Sequence, residues 1–130
     1  MLEVFNRTKI KIDTKFLQKV AQAALAVLRA KKEISLVFIG DAKMKELNKK
    51  YRGKNKTTDV LSFKELNEIF ICLPFAKKQA KMLKDSLKAE LTRLLTHGIV
   101  HLKGYNHAKS AQEAERMFKV EEKILNSLQI

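Results

Sequence analysis

The sequence predicts an α+β fold: one domain in which a small mixed β-sheet packs against four or five helices. Three observations lead there. The chain has 130 residues with only four glycines and one proline, which leaves room for one core and no linker between two. Ile34–Ile39 is apolar at nearly every position, as in a strand covered on both faces. Two further apolar runs, Val60–Phe63 and Ile69–Leu73, lie close together, a spacing that predicts an antiparallel hairpin. The domain is taken as residues 1–130.

Each element follows from local pattern. Residues 2–5 read as a short strand. Asp13 or Thr14 can cap a helix with Phe16, Val20, Ala24, Val27 and Leu28 on its apolar face,. Gly40-Asp41 turns the chain from Ile34–Ile39 into a short helix with Met44, Leu47 and Tyr51 expected inward. A polar loop follows from Arg52 to Thr57, then the hairpin, which Pro74 ends,. Ala76, Ala80, Leu83, Leu87, Leu91, Leu94 and Leu95 keep helical spacing and predict one long central helix,. Ser110 with Glu113 forms a capping box for the last helix, whose buried stripe is read as Ala114, Met117, Phe118, Ile124 and Leu128,.

Composition narrows the function classes. With 45% hydrophobic and 32% charged residues the chain is neither disordered nor membrane-embedded,. No apolar run approaches the roughly 20 residues of a membrane span. The opening Met1–Phe5 lacks a signal-peptide layout, and the single cysteine, Cys72, fits a reducing compartment,. A cytoplasmic protein is expected. Twenty-seven Lys and Arg against 14 Asp and Glu leave a formal charge of +13. Residues 41–56 concentrate it, with Lys43, Lys45, Lys49, Lys50, Arg52, Lys54 and Lys56 against Asp41 and Glu46. Such a patch suits a polyanion such as nucleic acid; it also fits a merely lysine-rich, solvated surface.

The three histidines, His97, His101 and His107, fall within one short stretch. Positions i and i+4 share a helix face, so His97 and His101 can converge on one metal ion. Gly104 stops the helix and would fold the chain back, bringing His107 up as third ligand,. Three imidazoles with one open position describe a catalytic zinc site at the end of the central helix. The opposing reading is three unrelated histidines on a helix end and its turn. The His-x3-His-x5-His spacing equals that of metzincin proteases, but Gly98 stands where their essential glutamate follows the first histidine,. Cys72, among apolar neighbours, reads as an inert buried thiol,.

The stretch His97-Gly98-Ile99-Val100-His101-Leu102-Lys103-Gly104-Tyr105-Asn106-His107 resembles the H-G-x-L-H-L-x-G-Y-D-H signature of the YbeY family of ribosomal RNA maturation endoribonucleases. A second block agrees in order and separation: Leu47-Asn48-Lys49-Lys50-Tyr51-Arg52, then Thr58-Asp59-Val60-Leu61-Ser62-Phe63, similar to L-N-x-x-Y-R and T-D-V-L-S-F. Asn106 replaces the family aspartate, Thr57 a proline, and Asn67-Glu68 a glycine-aspartate pair. The resemblance implies one Zn2+ per chain on His97, His101 and His107. It also implies single-strand-preferring cleavage of RNA in 16S 3′-end maturation, ribosome biogenesis and ribosome quality control. The implied partners are ribosomal RNA, the small ribosomal subunit and assembly factors, with no membrane. Arg52 matches the family's motif arginine and would stabilise charge on phosphate oxygens. Lys49, Lys50, Lys54 and Lys56 would track the RNA backbone beside it. Asp59, Ser62 and Asn106 are expected to orient ligands or line the cleft, though Asp59 could equally cap a turn. Glu90, two turns before His97 on the same stripe, could activate water but is expected as a solvated helix carboxylate,. No residue stands out as general base. The alternative function is a ribosome-associated RNA-binding assembly factor whose metal is mainly structural.

Overall fold

Alternation along the second strand decides how the layers stack. In the computed structural model, which describes residues 1–106 and 108–128, strand β2 (Ile34–Ile39) turns Ile34, Leu36 and Phe38 to one face and Val37 and Ile39 to the other. Both faces are buried, so the strand must be apolar throughout. It sits inside a four-stranded mixed sheet of order β1-β2-β4-β3, with β1 (Leu2–Asn6), β3 (Val60–Phe63) and β4 (Glu68–Cys72). β1, β2 and β4 run parallel, and β3 pairs antiparallel with β4 through a single 3-10 turn, Lys64–Leu66. The mixed sheet and the hairpin agree with the sequence.

Among the described residues, five helices pack around the sheet. On the Leu36 face lie α1 (Lys15–Leu28), α4 (Leu87–Leu102) and α5 (Ala111–Ser127); α2 (Asp41–Arg52) places Met44 on the Val37 face. α1 buries Leu17, Val20, Ala21, Ala24 and Leu28; Thr14 is its N-cap residue and makes no side-chain capping bond, while Asp13 before it accepts from the Lys15 N–H at 3.1 Å. The predicted single long helix is two. α3 (Leu73–Met82) opens with Pro74 in its first turn, where no amide donor is needed, and ends before α4 starts at a Ser86 cap,. Ser86 Oγ accepts from the Ala89 N–H at 3.0 Å, and Lys84 takes a left-handed conformation at φ 55°. Leu83, read as buried, is exposed at this corner.

α4 is the central helix and touches α1, α3, α5, β3 and β4. Gly98 permits its approach to the sheet: an added Cβ would lie 3.0 Å from two Ile69 side-chain carbons and 3.2 Å from Ser62 Oγ. A glutamate at that position would point into the sheet, which removes the metzincin chemistry on steric grounds. α5 begins as expected, with Ser110 Oγ accepting from the Glu113 N–H at 3.0 Å. Its buried stripe is Met117 and Ile124, flanked by half-buried Ala114, Val120, Glu121 and Leu128; Phe118, one position round the helix, faces out. Among the described residues no helix is long and apolar enough to cross a membrane.

Candidate metal centre

α4 brings His97 and His101 onto one face, as one helical turn requires,. Their rings stand nearly perpendicular at 83°, and their Nε2 atoms are 3.1 Å apart. On the far side of His97, Nδ1 lies 2.5 Å from Glu121 Oε1 on α5. A carboxylate only accepts, so Nδ1 carries the proton and donates, and the Nε2 lone pair is left facing His101. Two nitrogens bound to one tetrahedral zinc at about 2.0–2.1 Å would be about 3.3 Å apart. The pair therefore fits a small cation with little movement. Among the described residues no group of three metal-ligating side chains occurs, and His107, expected as third ligand, lies outside them.

The turn after α4 forms as its glycine demands. Gly104 has φ 113°, and its N–H donates to His101 O at 2.9 Å,. Lys64 Nζ sits 3.3 Å from where a Gly104 Cβ would be, adding a cation beside this turn that spacing alone did not reveal. Asn106 is exposed, and its Oδ1 accepts from the Ala108 N–H at 3.0 Å, so its side chain shapes the turn.

Glu90 is not solvated. It is 1% exposed, and its oxygens accept from Arg93 Nε at 3.1 Å, Arg93 Nη2 at 2.7 Å and Gln79 Nε2 at 2.5 Å. This fork, with Asp59 and Glu121 near it, pushes the Arg93 guanidinium further up,. Gln79 of α3 also donates to Asp59 Oδ2 at 3.3 Å, and Asp59 Oδ1 accepts from the Val60 N–H at 2.7 Å. Asp59 thus ties the entry of β3 to α3, with its hydrogen bonds going to Gln79 and the Val60 N–H. Ser62 Oγ donates to Gly98 O at 3.4 Å, so it touches the backbone between the two histidines.

The basic segment is held by a residue the sequence did not single out. Asn48 is buried in α2, and its Nδ2 donates to Lys56 O at 2.8 Å while its backbone carbonyl accepts from the Lys54 N–H at 3.3 Å. The loop is thereby fastened with Lys49, Lys50, Arg52, Lys54 and Lys56 all exposed. Arg52 closes α2, and Gly53 follows in a left-handed conformation at φ 69°. Tyr51, expected inward, is 55% exposed. Cys72 is buried as expected, and burial is the main reason its thiol is pushed up; its S–H donates to Asp41 Oδ1 at 3.2 Å.

Fold and site together define a class: α+β domains whose central helix presents paired imidazoles and whose second helix leads into a fastened basic loop. Residues 3–129 match the family described as endoribonuclease YbeY, and the chain belongs to that family. The endoribonuclease YbeY of Thermodesulfovibrio yellowstonii is 49% identical over 73% of this chain and 66% of its own length. That of a Sulfurihydrogenibium species is 37% identical over 97% of this chain and 88% of its own. The solution structure of TM1509 from Thermotoga maritima has a similar fold, with TM-score 0.67 at 23% identity, covering 99% of this chain and 92% of that one.

Proposed function

We propose that this chain is a zinc-dependent, single-strand-preferring endoribonuclease of the cytoplasm. Its substrates are ribosomal RNA precursors, with the 16S 3′ end as the target, and it serves ribosome biogenesis and quality control. Its partners are the small ribosomal subunit and assembly factors. Membership of a family whose relatives are named endoribonucleases supports the reaction class. The observation that carries the catalytic reading is the pair of Nε2 atoms turned toward each other, with Glu121 behind one of them.

His97, His101 and His107 would hold one zinc ion, which when bound supplies a Lewis acid able to bring the pKa of water down to about 7. The remaining steps fall to side chains. One water adds across the phosphodiester: its oxygen bonds to phosphorus, and one ribose oxygen departs with a proton. Negative charge grows on the equatorial phosphate oxygens, and the Arg52 guanidinium meets it with paired N–H donors. Lys49, Lys50, Lys54 and Lys56 hold neighbouring phosphates without reading sequence. Glu121 keeps the His97 ring oriented. Asn106 sets the path of the turn.

Cleavage of a precursor RNA by purified protein tests this. The wild type should cut, and His101→Ala should not. Arg52→Gln should retain metal and lose roughly 100- to 1000-fold in turnover. RNA binding without cleavage by the wild type at any zinc occupancy would overturn the enzyme reading in favour of an assembly factor.

A further inference from the structure

Tyr51, like Phe118, is an aromatic side chain that breaks its own pattern. Helical spacing predicts it inward, yet more than half of it is exposed, at the end of α2 and directly before Arg52. Exposure costs hydrophobic burial, and the ring is nevertheless held in place. It packs edge-to-face on Phe63, with centroids 5.0 Å apart at 69°, and Phe63 packs in the same way on Phe70 at 5.7 Å. Lys50 Nζ lies 5.3 Å from the Tyr51 centroid, and Lys49, Arg52, Lys54 and Lys56, close to it in sequence, are exposed.

An exposed aromatic ring braced by a second ring, with a cation over it and more exposed on the same segment, is a combination that binds single-stranded nucleic acid. The ring stacks on a base, and the cations take the adjoining phosphates. Through Phe63 the ring is joined to β3, the strand that the histidine helix also contacts. Phe63, which braces the ring, lies on β3 between Ser62, bonded to Gly98 of the histidine helix, and Lys64, beside Gly104. We propose that Tyr51 is a stacking platform for an unpaired RNA base, and that it gives this chain its preference for single strands. The proposal rests on the endoribonuclease reading above and names the residue that selects the substrate's form. A base inside a duplex has no free face to offer, so Tyr51 discriminates by base accessibility while the surrounding lysines bind either form.

Short oligoadenylate, the same backbone without bases, and a matched RNA duplex test it with binding as the readout. Tyr51→Leu keeps an apolar contact for Phe63 and should leave thermal stability near wild type. It should weaken oligoadenylate binding roughly 5- to 150-fold, with abasic and duplex affinities unchanged. Tyr51→Phe should bind as the wild type does. The salt dependence should keep its slope in Tyr51→Leu and fall by about 0.7 in Arg52→Gln. The chain has two tyrosines and no tryptophan, so in a Tyr105→Phe background oligoadenylate should quench the Tyr51 emission. Equal losses on base-bearing and abasic chains, or no loss at all, would overturn the platform and leave the endoribonuclease reading intact. A wild type that binds no RNA would overturn both.

Discussion

A hydrogen-bond acceptor with no proton to give settles the chemistry of His97. Glu121 accepts the hydrogen bond from Nδ1–H, which leaves the Nε2 lone pair turned toward His101,. Glu121→Ala should therefore weaken zinc binding roughly 10- to 100-fold with the fold retained, as measured by competition with a chelating dye; unchanged affinity would remove Glu121 from the site. The histidine pair was legible from sequence because i,i+4 geometry is local. Glu121 was not, since it arrives from a different helix. The one available signal was an acid on an otherwise apolar stripe with Met117, Ile124 and Leu128. Glu90 was misjudged for the same physical reason. Its burial depends on Gln79 from α3 and on Arg93 folding over it, and Arg93 remains half exposed to water.

At the level of the helix, the position of the histidines depends on how closely α4 lies against the sheet. Gly98 sets that distance. Gly98→Val should destabilise the protein by about 1–3 kcal/mol in urea unfolding, because Ile69 and Ser62 already fill the space,. It should weaken zinc binding as well, since the strained helix carries both imidazoles. Ser86→Ala should cost about 1 kcal/mol by removing the α4 cap, with zinc affinity unchanged,. Comparable zinc losses in both variants would mean that stability, and not helix placement, governs the site. The break between α3 and α4 was hidden in sequence because the apolar spacing runs across it. Ser86 and the exposed Leu83 mark it only once the left-handed Lys84 is seen.

Across the whole molecule, chain connectivity does the assembling. The basic segment ends α2 and leads directly into β3, and β3 lies against α4 beside Gly98. Positive charge and imidazoles, far apart in sequence, are thus both tied to β3, one by connectivity and the other by packing. The mixed sheet and the Ser110 cap were readable because they rest on local pattern. The outward turns of Tyr51 and Phe118 were not, because a helix buries only the arc that a neighbour covers, and sequence does not say which neighbour arrives. Everything functional depends on whether the imidazoles hold a cation. Zinc stoichiometry with X-ray absorption at the zinc edge tests that most directly. One zinc per chain on imidazole nitrogens at about 2.0–2.1 Å, lost in the His97→Ala, His101→Ala double variant, is the predicted result. A wild type that takes up no zinc, or a double variant that keeps it, would contradict the metal centre.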